Sequence, residues 1–297
     1  MATSAVAARG QAAMYVAAGR KPGEQLTETI LLHVVIALGA FVMAFPFAWM
    51  ILTSLKDSSQ AFVIPPSWIP NPWALDNYPA SLQALPFGIA YFNSFYISAI
   101  VVTVTLFTAS MAAYAFAKIK FPGRELVFLL FLATMMVPGQ VTIIPLFLIM
   151  KALGWVDTHL AIIVPPALFN AFAVFLLRQF VRGIPKELEE AAMIDGCNRL
   201  RTYWQIILPL MVPAMSALGI FIFINTWNNF FNPLIFLNSP DLFTVPLMLN
   251  QFRGQYTVDW TLLMAGTAVA AIPVLVVYII GQRKIIEGIT LTGLTGR

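Results

Sequence analysis

The chain has 297 residues, of which 60% are apolar and only 10% are charged, and its mean hydropathy is +0.83. Soluble domains carry about 25% charged residues, so this composition excludes an ordinary soluble protein and places the chain in a lipid bilayer. The formal net charge is only +4, and the basic residues lie in short loops between apolar runs, so membrane topology explains them and no nucleic-acid partner is predicted.

Residues 1–29 are rich in alanine but are interrupted by charged residues such as Arg9 and Arg20. A cleavable signal peptide needs an uninterrupted apolar stretch, so we interpret this region as a cytoplasmic N-terminal tail. Apolar segments follow that are long enough to cross a hydrocarbon core about 30 Å thick, which takes roughly 20 helical residues. Segments 1 to 6, in chain order, are residues 30–55, 91–117, 126–150, 160–180, 207–237 and 261–281. We therefore predict an all-α, polytopic transmembrane bundle of six helices over residues 30–281.

The distribution of lysine and arginine predicts the orientation of this bundle. With a cytoplasmic N-terminus, 14 of the 17 basic residues fall on the cytoplasmic side, and only Lys56, Lys151 and Arg253 fall outside. Short loops rich in basic residues stay in the cytoplasm. Both termini are thus predicted to be cytoplasmic, with residues 282–297 as a C-terminal tail.

The connections between segments include two long outer ones, residues 56–90 and 238–260, and one sizeable cytoplasmic loop, residues 181–205. The first outer connection is rich in proline, which predicts an extended, irregular crossover. In the cytoplasmic loop, Pro185 precedes three acidic residues and then Gly196, an order typical of a short helix. Periodicity alone leaves open that this helix is an ordinary amphipathic connector lying on the lipid surface.

The cytoplasmic loop also contains a spaced set of residues that is typical of a known family. The set is Glu190, Ala191, Ala192, Gly196, Ile206, Leu208 and Pro209. It resembles the signature loop of the membrane subunits of bacterial ATP-binding-cassette importers. The resemblance implies a type I importer permease fold and a coupling helix that docks in a cleft of an ATPase subunit. It also implies that Glu190 pairs with a basic residue of that subunit.

Shorter matches in chain order are similar to the carbohydrate-type permeases of this family, which include the smaller membrane subunit of the maltose importer. They include Asn93-Ser94, Ala113-Tyr114-Ala115, Met136-Val137-Pro138, Trp227-Asn228 and Gly293-Leu294-Thr295-Gly296. The resemblance implies import of a sugar or oligosaccharide across a bacterial or archaeal cell membrane. The implied partners are a second permease, two ATPase subunits and an extracytoplasmic solute-binding protein. Glycerol phosphate, a polyol or an amino sugar remains an alternative solute, and an ion-coupled secondary carrier remains an alternative mechanism.

No bond chemistry is predicted for the chain itself. The sequence contains no G-x-x-x-x-G-K-[ST] motif and no Gly-Lys pair, so ATP and Mg are expected in the partner ATPase subunits and the chain is not expected to be an enzyme. His33 and His159 are far apart in the sequence and have no accompanying cysteine or carboxylate cluster. We therefore predict no metal site and no bound cofactor.

Segment 5 contains a stripe of amide side chains. Asn225, Asn228, Asn229 and Asn232 repeat at i, i+3, i+4 and i+7, which places them on one face of a helix. Such a stripe either joins neighbouring helices by hydrogen bonds or lines a wet cavity where amides meet sugar hydroxyls. Trp227 is a candidate for stacking against a sugar ring, although aromatic residues are also common at membrane interfaces.

Overall fold

The computed structural model describes residues 22–252 and 259–294, and all regular structure in these ranges is helical. Most of the predicted N-terminal tail, Arg253 and residues 295–297 lie outside the described residues. The α-helices, in chain order, are Pro22–Ser54, Asn77–Ala84, Phe87–Lys118, Arg124–Ala133, Ile143–Ala152, Leu160–Leu168, Ala171–Arg182, Glu187–Ile194, Arg199–Thr202, Leu208–Trp227, Phe231–Phe236, Val245–Leu249 and Trp260–Leu294. The predicted all-α class is confirmed.

Segments 1, 2, 4, 5 and 6 each contain helix that is long and apolar enough to cross a bilayer. Within the described residues these stretches are Glu28–Ser54, Phe87–Lys118, Leu160–Arg182, Arg199–Trp227 and Trp260–Lys284. The helices of segments 1 and 6 extend beyond their predicted limits, beginning at Pro22 and ending at Leu294. The predicted C-terminal tail is therefore helical as far as Leu294, because nothing in residues 282–294 breaks the helix.

Segment 3 differs from the prediction of one continuous helix. It consists of two helices of 10 residues each, Arg124–Ala133 and Ile143–Ala152. A 3-10 turn at Thr134–Met136 follows the first helix, and the chain is irregular around Pro138 and Gly139. Proline has no backbone N–H, and glycine has the lowest helix propensity after proline. The pair therefore ends the helix in the middle of the apolar run.

Segment 4 is broken between Leu168 and Ala171, just after Pro165 and Pro166. Segment 2 compensates for the break, since the Thr105 and Thr108 hydroxyls donate hydrogen bonds to the carbonyl oxygens of Pro166 and Ala167, at 3.3 and 3.2 Å. Backbone groups inside a bilayer have no water to bond with. These two threonines therefore allow the irregular backbone to persist within the bundle.

The segment 2 helix lies at the centre of the bundle. It packs against both halves of segment 4 and against segment 5, which in turn packs against segment 6. Its contact faces carry small residues that are almost completely buried, including Ala90, Ser98, Ala109, Ser110 and Ala113. Small side chains let helix backbones approach closely, and van der Waals contact rather than hydrophobicity joins helices in lipid.

The segment 1 helix lies at the edge of the bundle and packs mainly against segment 6. None of the residues in its most apolar 18-residue stretch is buried. The outer crossover that follows, predicted to be irregular, includes a short helix, Asn77–Ala84. Asn77 fixes it by donating hydrogen bonds to the carbonyl oxygens of Ser54 and Lys56, at 2.9 and 2.8 Å.

Candidate functional site

The short helix predicted in the cytoplasmic loop is present as Glu187–Ile194, which we call the loop helix. Gly196 follows it with φ +81°, a left-handed conformation that glycine adopts without strain. The backbone N–H groups of Gly196 and Cys197 donate to the carbonyl oxygens of Met193 and Ala192, at 3.1 and 2.9 Å. These bonds close the C-terminal end of the helix, so Gly196 has the conformational role that the sequence predicted.

The loop helix has one face against the bundle and one face exposed. Ala192 is 4% exposed, whereas Glu190 and Ala191 lie at the surface. Met193 and Ile194, three and four residues after Glu190 and therefore on the same face, are 55% and 86% exposed. An apolar rim beside an exposed carboxylate is a surface suited to contact with another protein.

Lys118, the last residue of the segment 2 helix, attaches the loop helix to the bundle. Its ammonium nitrogen lies 2.8 Å from Glu189 Oε1 and donates a hydrogen bond to the Ile184 carbonyl oxygen at 2.7 Å. The two side chains are only 6% and 14% exposed. Sequence reasoning missed this pair; the only available signal was a lysine at the end of an apolar run and an acidic residue beside Glu190.

The second half of the loop is attached to segment 2 one to two turns further into the bundle. The hydroxyl groups of Ser110 and Tyr203 lie 2.7 Å apart, and the Tyr114 hydroxyl donates to the Arg199 carbonyl oxygen at 3.4 Å. Tyr203 is 2% exposed, and its ring centroid lies 5.6 Å from that of Tyr114. The loop is therefore held to segment 2 at both of its halves.

The loop continues into segment 5 without a break. The Asn198 side chain accepts from the Arg201 backbone N–H at 2.8 Å and begins the helix Arg199–Thr202. A π-helical turn, Tyr203–Ile207, joins this helix to Leu208–Trp227, with Pro209 in its first turn. Ile206 and Leu208 are half-buried against the core, and Pro209 is exposed. Residues 199–227 thus form one helical rod that starts in the loop of residues 181–205.

At the other end of this rod lies a cavity of about 730 Å³ between segments 2, 4 and 5. Its polar lining is uncharged and consists of Asn170, Asn225, Thr226, Asn228 and Asn229. Its apolar lining includes the aromatic residues Phe172, Phe221, Phe230 and Phe231. Two helix breaks, one after Leu168 and one after Trp227, meet at this cavity. Irregular backbone at membrane depth is tolerated where it lines such a space.

The asparagine stripe differs from the prediction of a single helical face. The segment 5 helix ends at Trp227, so Asn228 and Asn229 belong to a turn and Asn232 belongs to the separate helix Phe231–Phe236. Asn225, Asn228 and Asn229 line the cavity, and Asn232 does not. The side-chain oxygen of Asn229 accepts from the Asn232 backbone N–H at 3.2 Å. The break in the helix therefore favours the interpretation as a cavity lining for three of the four amide side chains.

Asn170 also lines the cavity and was missed by sequence reasoning. Its side-chain oxygen accepts from the Ala173 backbone N–H at 2.9 Å and begins the second helix of segment 4. The available signal was its place after Pro165 and Pro166, where a helix must be interrupted. The Asn225 and Asn228 side chains are exposed and have no hydrogen-bond partner among the described residues, so their amide groups are available to a ligand.

Trp227 lies in the core rather than at the cavity. It is 2% exposed, its indole N–H donates to the Ala270 carbonyl oxygen at 3.2 Å, and its ring stacks on Phe223 with centroids 5.7 Å apart. This placement opposes the predicted stacking on a sugar. A buried indole is fixed by packing and by its single hydrogen bond, so its contribution is to joining segments 5 and 6.

The connection that follows segment 5, residues 238–260, is hydrogen-bonded to residues that immediately precede segment 4. Asp157 accepts hydrogen bonds from the backbone N–H groups of Asn238 and Ser239 and from the Ser239 hydroxyl, at 2.8, 2.9 and 2.5 Å. The Ser239 hydroxyl, followed by the two backbone N–H groups, holds the pKa of the Asp157 carboxyl below its ordinary value. His159 Nε2 donates to the Leu242 carbonyl oxygen at 2.7 Å. Among the described residues, no group of three or more His, Cys, Asp or Glu is arranged to hold a metal ion.

Comparison with known proteins agrees with this architecture. The chain is 37% identical over 273 residues to the arabinooligosaccharides transport system permease protein AraQ of Halalkalibacterium halodurans, covering 90% of this chain and 96% of AraQ. It is 32% identical to the lactose transport system permease protein LacG of Rhizobium radiobacter, covering 87% and 94% of the two chains. It shares its fold, with a TM-score of 0.77 and 23% identity, with a chain of a bacterial ABC transporter involved in the import of the acidic polysaccharide alginate, covering 89% and 98% of the two chains.

The model of one protein family matches residues 105–287, which include the loop of residues 181–205, the rod that continues from it and the segments that enclose the cavity. The chain belongs to the family of binding-protein-dependent transport system inner membrane components.

Proposed function

We propose that this chain is the permease subunit of an ATP-driven importer and forms, with a second permease, the membrane pathway for a sugar or oligosaccharide. The observation that carries the proposal is the rod of residues 199–227, because it joins the cytoplasmic loop to the asparagine-lined cavity. Its 29 residues span about 40 Å at 1.5 Å per residue, enough to cross the bilayer. A movement of the loop is thereby transmitted to the cavity.

The loop helix is the coupling element in this proposal. Glu190 is exposed beside the apolar side chains of Met193 and Ile194, which supports its docking in a cleft of a partner ATPase. There the carboxylate of Glu190 pairs with a basic residue, and ATP and Mg are bound and hydrolysed by the partner. The Lys118–Glu189 ion pair and the Tyr203 contacts carry the displacement of the loop into segments 2 and 5.

The cavity is the part of the solute pathway that this chain provides. Amide groups donate and accept hydrogen bonds with sugar hydroxyls, and aromatic faces pack against sugar rings. Asn225 and Asn228 supply free amides, and Phe221 and Phe231 supply exposed rings at the cavity. Relatives named for the transport of arabinooligosaccharides and lactose support a carbohydrate. Glycerol phosphate, with its anionic group, fits this uncharged lining less well.

The orientation and partners follow from the same proposal. The basic end of the bundle, with the loop helix and both termini, faces the cytoplasm of a bacterial or archaeal cell, and two ATPase subunits dock there. The solute-binding protein docks on the opposite side, where Asp157 fixes the connection that begins at Asn238. The second permease contacts apolar helix faces that this chain leaves exposed.

The test of the coupling role compares two carboxylates of the loop helix. In the complex purified with its partner subunits, we expect Glu190→Ala to reduce ATPase activity stimulated by the solute-loaded binding protein by at least about tenfold, because removing one partner of a buried interface ion pair costs roughly 2–5 kcal/mol. Glu187→Ala is the matched control, since Glu187 is exposed in the first turn of the same helix. Equal activity of the two variants would refute the assignment of Glu190.

A further inference from the structure

A second cavity lies at the basic end of the bundle, where the ends of segments 2, 3 and 4 meet the loop helix. Its volume is about 660 Å³, and its lining contains seven basic residues but only two acidic ones. We call it the basic cleft. The coupling role proposed above uses Glu190 and the Lys118–Glu189 pair from this lining, but it assigns no role to the other basic residues of the cleft.

Three of the basic residues in the cleft, Arg124 among them, are paired with carboxylates within the chain. Arg178 is 5% exposed, donates to both carboxylate oxygens of Glu125, at 2.9 and 2.7 Å, and lies 3.8 Å from the Phe128 ring centroid. Lys118 is paired with Glu189. These side chains form a wall of the cleft in which each basic group already has a carboxylate partner.

Four further basic residues of the lining lack such a carboxylate. Lys120, Arg182, Lys186 and Arg199 are exposed, and none forms a salt bridge with another described residue. Glu190 is the only remaining acidic residue of the lining. Like charges that converge on one space repel each other, and an anion in the cleft relieves this repulsion.

The position of the cleft identifies the kind of anion. Lys118 ends the segment 2 helix, Arg124 begins segment 3 and Arg182 ends segment 4, so the cleft lies where apolar helices meet the membrane surface. Leu126 and Leu129, on the helix that begins at Arg124, are each 62% exposed. A site with basic groups at the surface and an apolar flank beside it fits a molecule with both an anionic head and acyl chains.

We propose that the basic cleft binds the phosphate head group of an anionic phospholipid. Arginine forks match phosphate oxygens in two-point hydrogen bonds, and basic pockets between transmembrane helices bind such head groups. The general bias of lysine and arginine to the cytoplasmic side explains why basic residues are on this face. It does not explain their convergence on one cleft, since Arg201, Arg283 and Lys284 share the face but do not line the cleft.

The experiment measures lipid retained by the full-length chain purified with its partner subunits. The complex is incubated in detergent with phosphatidylglycerol, with phosphatidylcholine, or with inorganic phosphate and phosphatidylglycerol together, and native mass spectrometry counts the bound molecules. The variant is Arg182→Gln combined with Lys186→Gln. The matched control is Arg201→Gln, an exposed basic residue of the same face that lies outside the cleft.

We expect the wild type and Arg201→Gln to retain phosphatidylglycerol in preference to phosphatidylcholine. The double variant should bind it at least about tenfold more weakly, since each basic residue near an anionic surface contributes about fivefold in affinity. Equal retention by the double variant and the control would overturn the proposal. Displacement of the lipid by inorganic phosphate alone would assign the cleft to a soluble anion. Loss of the ATPase subunits from the double variant with unchanged lipid would assign it to a protein contact.

Discussion

Glu189 shows how a single buried carboxylate determines the position of the loop helix. It is 14% exposed and lies 2.8 Å from the Lys118 ammonium, whereas Glu190, the next residue, points to solvent. Adjacent residues of a helix face different directions, so one carboxylate can anchor the helix while its neighbour is presented to a partner. The family pattern includes only Glu190. The anchoring role of Glu189 depends on its contact with Lys118 of segment 2, which the sequence does not show.

We predict that Glu189→Gln lowers the stability of the protein more than an exposed substitution does. The neutral side chain leaves the Lys118 ammonium buried without a counter-charge, and breaking a buried pair in this way costs about 3 kcal/mol or more. Thermal unfolding in detergent measures the difference. Glu187→Gln, on the exposed part of the same helix, should change stability by less than about 0.5 kcal/mol. Indistinguishable unfolding curves for the two variants would contradict the structural role of the pair.

The hydrogen bonds of Asp157 predict that the stability of the folded protein depends on pH. Because three donors hold its folded-state pKa below the ordinary value, the carboxylate contributes stability at neutral pH. That contribution decreases once the pH falls below about 4, where the unfolded chain takes up the proton first, and it is lost when the pH passes below the folded-state pKa. Thermal unfolding against pH should be flatter for Asp157→Asn than for the wild type. Asp76→Asn is the control, since Asp76 makes no capping bond with its side chain; an equally flat curve for this control would contradict the prediction.

At the scale of helices, the cavity is produced by two interruptions that face each other. One follows Pro165-Pro166 in segment 4, and the other follows Trp227 in segment 5. A hydropathy window shows each segment as one apolar run, since the breaks contain large apolar residues such as Phe169 and Phe230. Pro165 and Pro166 are a sequence signal for the first break. The second has no proline before it, which is why periodicity placed all four asparagines on one face.

We predict that the free amides at these breaks act in solute uptake. In proteoliposomes containing the whole importer, the double variant Asn225→Leu with Asn228→Leu should reduce sugar uptake by about thirtyfold, since two lost hydrogen bonds at roughly 1 kcal/mol each remove about 2 kcal/mol. The binding-protein-stimulated ATPase activity should persist, because the loop is unchanged. Asn232→Leu, whose side chain lies outside the cavity lining, should leave uptake near the wild-type rate. Equal loss in Asn232→Leu would instead indicate general damage to segment 5.

At the scale of the whole molecule, the all-α membrane fold could be predicted because composition and long apolar runs are properties of the sequence alone. The positions of segments 1, 2, 4, 5 and 6 follow from those runs. Segment 3 was predicted as one helix because its apolar composition is continuous, although Pro138-Gly139 within it favours the break that separates its two helices. Side-chain partners such as Lys118 and Glu189, which are distant in sequence, depend on how the segments pack.

The measurement that tests the central claim most directly is uptake of labelled sugar into proteoliposomes, with and without the ATPase subunits. A helical bundle whose movement is driven through its loop requires separate subunits that hydrolyse ATP. We predict uptake only when both permeases, the ATPase subunits, ATP and the solute-loaded binding protein are present. Uptake by this chain alone, driven by a sodium or proton gradient, would contradict the claim.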